Sequence, residues 1–230
     1  FRGFSTQWKK CFHTVENFTG GHMTGLRHIG IGLLLATLLS SCAPTPRTDT
    51  LTGQTMGTTY SIRIARAHLS PRDLQALQES IDSVLDEVNR QMSTYRPDSE
   101  ISRFNQTAAR TPVAVSANFA HVVRRALELA EATGGAFDPT VGALVNLWGF
   151  GPDGTISRRP APEQVEAVRG TVGHRHLSLE TGDRLSKAVD GLKLDLGAIA
   201  KGFGVDQVAA LLRKNNLQNF IVEIGGETLA

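Results

Sequence analysis

The run Leu192-Lys193-Leu194-Asp195-Leu196-Gly197-Ala198-Ile199-Ala200-Lys201-Gly202 carries an apolar alternation through a small-residue junction into a helical pattern. Such a junction can take a phosphate. The first turn of a helix offers unpaired N–H groups and a partial positive charge, Gly197 and Ala198 allow close approach to the backbone, and Lys201 adds a full charge. Asp195 makes sense beside a diphosphate as an acceptor for a ribose or ring N–H, or as a neighbour of a divalent cation. Ordinary strand-to-helix packing with Asp195 as a cap needs the same spacing, so both readings stand on the residues alone.

Two further stretches pose the same choice. Gly134-Gly135-Ala136-Phe137-Asp138-Pro139 leads an exposed acid towards Leu147-Trp148-Gly149-Phe150-Gly151, a loop that could wrap a flat ligand; the plainer reading, preferred here, is a helix C-cap and a proline turn, with Trp148 and Phe150 in the core. In Met92-Ser93-Thr94-Tyr95, Tyr95 either stacks on an aromatic ring or covers a helix end. His121 falls among helical core positions and His174 and His176 near a turn and strand; they are read as structural or surface residues, since no HExxH, cysteine pair or nucleophile–base spacing accompanies them. The sequence also lacks GxxxxGK[ST] and a strand-borne GxGxxG with its distal acid, so a standard dinucleotide fold is not expected.

The elements that must position these residues follow from periodicity. Thr58–Ala65 alternates, with Tyr60, Ile62 and Ile64 on one face, as a half-buried strand does. Ser70-Pro71-Arg72-Asp73 opens a helix whose stripe is Leu74, Leu77, Ile81, Leu85 and Val88. Met92 to Asn105 reads as a polar loop, and a second helix from Ser116 buries Phe119, Val122, Val123, Ala126, Leu127 and Ala130 before Gly134-Gly135. A short helical stretch follows Pro160 and Pro162. Leu177–Leu179 and Leu192–Leu196 read as strands, Gly182-Asp183 as a hairpin turn, Gly197–Lys214 as a helix packed on a sheet through Ile199, Phe203, Val208, Leu211 and Leu212, and Phe220–Ile224 as a buried strand ending at Gly225-Gly226. Strands and helices mix without strict βαβ alternation and without repeats, which predicts an α+β domain, mainly antiparallel sheet with packed helices.

The 230 residues carry a formal charge of +2, but four of the basic residues (Arg2, Lys9, Lys10, Arg27) lie within the first 42, against Glu16 alone. The remainder is close to neutral, without the positive field of a nucleic-acid-binding protein, and no nucleic-acid partner is expected. Arg27 and His28 precede the apolar run Ile29–Leu39, too short to span a bilayer comfortably, and Leu39-Ser40-Ser41-Cys42 suits a lipoprotein signal with Cys42 as the acylated residue. Met23 is the natural initiator, so 1–22 reads as an upstream extension, 23–41 as the signal peptide, 42–51 as a polar tether and 52–230 as a single folded domain. No other cysteine follows Cys42, so the domain must be held by its core.

Met56-Gly57-Thr58-Thr59-Tyr60, Met92 to Asn105, Thr133 to Gly151, Leu194 to Asp206 and Val222 to Glu227 together, in this order, resemble the FAD:protein FMN transferases, formerly called thiamine biosynthesis lipoproteins. The resemblance implies Mg2+-dependent transfer of FMN from FAD to a threonine hydroxyl of an acceptor protein, with release of AMP. It places Met56 and Tyr95 against the flavin, Ala136, Phe137 and Asp138 along the cofactor, Asp195 and Lys201 near its polar parts, and the Ala198 carbonyl on the metal. The partners it implies are acceptor flavoproteins of membrane redox complexes, met by an exported enzyme lipid-anchored to a bacterial membrane and facing the periplasm. An FAD pyrophosphatase giving FMN and AMP, and a non-catalytic FAD-binding lipoprotein, are the alternatives. Family members continue past the last of these blocks with a segment carrying Asp and Thr metal ligands and a His. The chain is therefore expected to be C-terminally incomplete, with a poor metal site and a last strand short of partners.

Overall fold

The computed structural model describes residues 48–152, 154 and 159–230. The signal peptide, Met23, Cys42 and most of the tether lie outside the described residues.

Two antiparallel sheets carry the fold. In the first, β1 (Thr48–Thr55) pairs with β2 (Thr58–Ala65), β2 with β6 (Phe220–Ile224), and β6 with β7 (Glu227–Leu229). The second is small: β3 (Val113–Ala114), β5 (Arg184–Lys187) and β4 (Leu177–Glu180), in that order. The helices are α1 (Pro71–Met92), α2 (Glu100–Gln106), α3 (Ala117–Ala132), α4 (Gly142–Leu147), α5 (Pro162–Arg169) and α6 (Gly197–Lys214), with a 3-10 turn at His174–His176. The α+β class expected from the sequence is what the chain adopts.

Local chemistry explains the elements that were legible. Ser70 caps α1 by accepting the Asp73 N–H at 3.2 Å while the Asp73 carboxylate accepts from the Ser70 N–H, and Pro71 supplies the pre-set φ of the first turn. Leu77, Ile81, Leu85 and Val88 are buried as the stripe required. Alternation in β2 buries Tyr60, Ile62 and Ile64, and Gly182 and Asp183, both at positive φ, belong to the three-residue loop Thr181–Asp183 between β4 and β5.

Four expectations are corrected. Residues 48–51 are not tether: they form the first half of β1, with Asp49 and Leu51 buried and Thr48 paired to Ala65. Only one large apolar residue marks that strand, and the partner's register sets its position. The polar block Met92–Asn105 is not all loop, because Ser99 accepts the Ser102 N–H at 3.1 Å and starts α2, which buries Ile101 and Phe104. Leu192–Leu196 is extended but joins no sheet; it makes a single parallel bridge, Lys193 to Val141, while its three leucines are fully buried. Finally β6 is half-buried, with Ile221 38% exposed, and it lies inside the sheet between β2 and β7.

Two apolar clusters result. One lies between the first sheet, α1 and the second half of α6; the other gathers the end of α1 with α2, α3, the small sheet, the 192–196 segment and the first half of α6. Burial of these side chains supplies the main folding force.

Candidate functional site

The 192–196 segment is held from both sides. Asn105, one residue from the end of α2, donates its side-chain N–H to the Leu194 carbonyl at 2.9 Å and accepts the Leu194 N–H at 2.7 Å, so an amide side chain stands in for a neighbouring strand. On the other side Asp195 N–H donates to the Pro139 carbonyl at 2.8 Å, and Gly142 N–H to the Lys193 carbonyl at 3.0 Å. Alternation then turns Lys193 and Asp195 away from the buried leucines.

They face a cleft of about 200 Å³ lined also by Thr94, Tyr95, Asn105 and Asn146. Tyr95 is 68% exposed, and its phenol donates to the Phe150 carbonyl at 2.8 Å, which ties the loop after α4 to the rim. Phe150 is 63% exposed and Trp148 is exposed as well, so the reading of these two rings as core is corrected: α4 ends at Leu147, and the turn at Gly149, at positive φ, leaves them outside.

At the start of α6 the Asp195 Oδ1 accepts the Gly197 N–H at 2.7 Å, and Ile199 and Ala200 N–H groups turn to the Leu196 carbonyl. Asp195 is thus both a cap and a cleft residue, and the two readings left open by its spacing are compatible. Lys201 folds its Nζ back to the Gly197 carbonyl at 3.3 Å, beside the Gly225 turn. Ala198 is exposed on the same first turn.

Of the expected site residues only Tyr95 and Asp195 line this cleft; Ala198 and Lys201 stand on the helix that follows, and the others lie elsewhere. Met56, at positive φ in the β1–β2 turn, packs between the two apolar clusters with its methyl against Gly204. Ala136 is exposed on the loop after α3, and Phe137 packs on the second cluster. Asp138 is occupied structurally: Oδ1 accepts from the Thr140 N–H and hydroxyl at 2.8 and 2.6 Å, and Oδ2 from the His174 N–H at 2.9 Å. Burial pushes its carboxyl up, but the Thr140 and His174 hydrogen bonds outweigh that and hold it below the usual carboxylate range. His121 is exposed beside Phe203, not in the core. Asn105 is the residue that inspection of the sequence missed. The cap signal Ser99, followed by Ile101 and Phe104 on one helical face, would have placed it at a helix end.

A cleft that brings an exposed tyrosine ring together with Lys193 and Asp195, just before a helix start, suits a ligand with a flat ring and a polar arm. Comparison with known proteins sharpens that class. The pattern of the ApbE family matches residues 56–230. The chain is 44% identical over 204 residues to a FAD:protein FMN transferase of Haemophilus influenzae, covering 87% of this chain and 59% of that protein. It is 46% identical over 202 residues to one of Vibrio cholerae, covering 88% and 60%. Among solved structures, flavin transferase ApbE from Vibrio cholerae superposes with a TM-score of 0.75 at 48% identity over 80% of this chain and 59% of that one. The apo flavinyl transferase ApbE of Pseudomonas stutzeri gives 0.74 at 38% identity, over 80% and 61%. This chain belongs to the ApbE family. It spans about three fifths of the length of these relatives.

Proposed function

We propose that the chain carries the FAD-binding part of a FAD:protein FMN transferase. The observation that carries this reading is the cleft that joins Tyr95 to Asp195, two residues before α6 begins at Gly197, in a chain of this family. Tyr95 offers a face for the isoalloxazine ring, and the amide dipoles of α6 with Lys201 offer positive potential to the diphosphate. In the reaction, a threonine hydroxyl oxygen of the acceptor protein attacks the phosphorus on the FMN side. The bond from that phosphorus to the bridging oxygen breaks, AMP leaves with the oxygen, and the hydroxyl proton is released. The protein's contribution is alignment and stabilisation of charge on the phosphoryl oxygens. Met56, Ala136, Phe137 and Asp138 remain assigned to the cofactor by resemblance alone, and Asp138 acts there through the loop geometry it fixes.

The resemblance also asks for Mg2+ on the Ala198 carbonyl. Among the described residues no group of three or more His, Cys, Asp or Glu is placed to hold a metal, and Asp195 has one oxygen committed to Gly197. A hard cation takes about six oxygens, so these residues do not fit the ion by themselves.

Export and lipid anchoring at Cys42, with the domain facing the periplasm and acting on membrane redox flavoproteins, complete the proposal. They rest on the apolar run and the Ser40-Ser41-Cys42 junction. Among the described residues no helix is long and apolar enough to cross a membrane.

The experiment mixes the protein with FAD, Mg2+ and a threonine-bearing acceptor and follows the acceptor by mass spectrometry. An acceptor gaining one FMN, with an equal amount of AMP, is the expected result. Free FMN with an unlabelled acceptor would mean that water replaces the hydroxyl and would overturn the transfer step; tight FAD binding without turnover would keep the FAD site alone, and a protein that binds no FAD would overturn the proposal as a whole.

A further inference from the structure

Lys187, the last residue of β5, is 2% exposed, and its Nζ donates to the main-chain carbonyls of Asn105 at 3.1 Å and Leu192 at 3.0 Å. The ammonium also stands 5.5 Å from the centre of the Phe104 ring. Among the described residues no carboxylate lies within ion-pair distance of it. An interior charge with no carboxylate in contact, only Asp190 acting on it from further off, is costly, and an apolar side chain of similar length could fill the same space. What only the ammonium supplies is several directed, charge-assisted bonds from one point.

Those bonds join two stretches far apart in sequence, and the same stretches form the floor of the cleft. Asn105 receives Lys187 on its carbonyl and uses its side chain to clamp Leu194; Leu192 receives Lys187 two residues before that clamp and three before Asp195. We infer that Lys187 is a positioning residue for the cleft. By tying the end of α2 to the 192–196 segment, it sets where Asp195 and the start of α6 stand relative to Tyr95. As regards FAD, the inference rests on the function proposed above; as regards the cleft, it stands on the hydrogen bonds alone.

The experiment compares the protein with K187M and K187R variants by two measurements: amide hydrogen exchange resolved by segment, and FAD titration followed by flavin fluorescence and absorbance. K187M is expected to speed exchange in 103–107 and 192–199 while leaving 58–65 and 220–224 unchanged. It is also expected to weaken FAD binding by about tenfold or more, the scale of one lost charge-assisted bond. K187R, which keeps donors and charge, is expected to restore both in large part. If K187M does not fold, the same segments in K187R decide. Exchange raised evenly over the whole fold would make Lys187 an ordinary core residue and overturn the inference, as would local loosening with FAD affinity unchanged. A parent protein that binds no FAD but shows the localised exchange would remove the flavin reading while leaving the positioning of the cleft by Lys187 in place.

Discussion

Asn105→Ala removes two hydrogen bonds at once and leaves the Leu194 N–H and C=O without their partner. Each such bond contributes roughly 1–1.5 kcal/mol net, and a half-buried group stranded without water access costs at the upper end of that range, so the expected loss is about 2–3 kcal/mol. In a domain of this size each kcal/mol moves Tm by about 2–4 °C, giving a drop of about 5–10 °C. Urea unfolding followed by far-UV circular dichroism checks it: the midpoint should fall while the slope stays constant, because the surface exposed on unfolding is unchanged. FAD affinity in the same variant should fall together with the order of the 192–196 segment. A stability change under about 0.5 kcal/mol would mean that solvent or Pro139 and Gly142 already suffice to hold the segment. The account of how Asp195 is placed would then be wrong.

A β-carbon at Gly53 would sit 2.5–2.6 Å from the Tyr60 ring, which is 1% exposed and anchored by its hydroxyl to Asp82; Gly53→Ala should therefore lose about 1–3 kcal/mol in thermal or urea unfolding, without changing ligand affinity. Burial raises the Asp138 carboxyl, yet the Thr140 and His174 hydrogen bonds bring it below its unfolded value, so its stabilisation is complete above the unfolded pKa near 3.9 and lost as pH falls through the folded value. Asp138→Asn should flatten the acid limb of a stability–pH curve between about pH 5 and pH 2, and an unchanged limb would remove Asp138 from the acid response.

The elements that could be read were those whose own residues decide them. The Ser70–Asp73 capping box and the stripe to Val88 specify α1 locally, and the alternation of Tyr60, Ile62 and Ile64 specifies β2. β1 was misread because Thr-Asp-Thr-Leu-Thr-Gly-Gln-Thr has little apolar pattern, and pairing with β2 overrides its composition. α2 was missed because seven residues hold too few turns for a period to show. At the site, the junction from Leu192 to Lys201 was legible from its small residues and single acid, and Tyr95 from its place in a polar block. Tyr95 and Asp195 do meet across one cleft. Asp138 could have been read as bonding Thr140 two residues on, but its bond to the His174 N–H joins segments that meet only in three dimensions; Trp148 and Phe150 stand outside because α4 ends at Leu147 and the chain turns at Gly149.

Along α6, Ala200 and Phe203 are sunk in one apolar cluster, and Val205, Val208, Ala209 and Leu212 in the other. The helix is therefore an axle common to two compartments, and neither compartment can melt while the other keeps its shaft. A ligand that binds the folded chain beside this helix would therefore stabilise both compartments together. Ligand protection should accordingly raise one cooperative thermal transition as a unit, rather than splitting it in two.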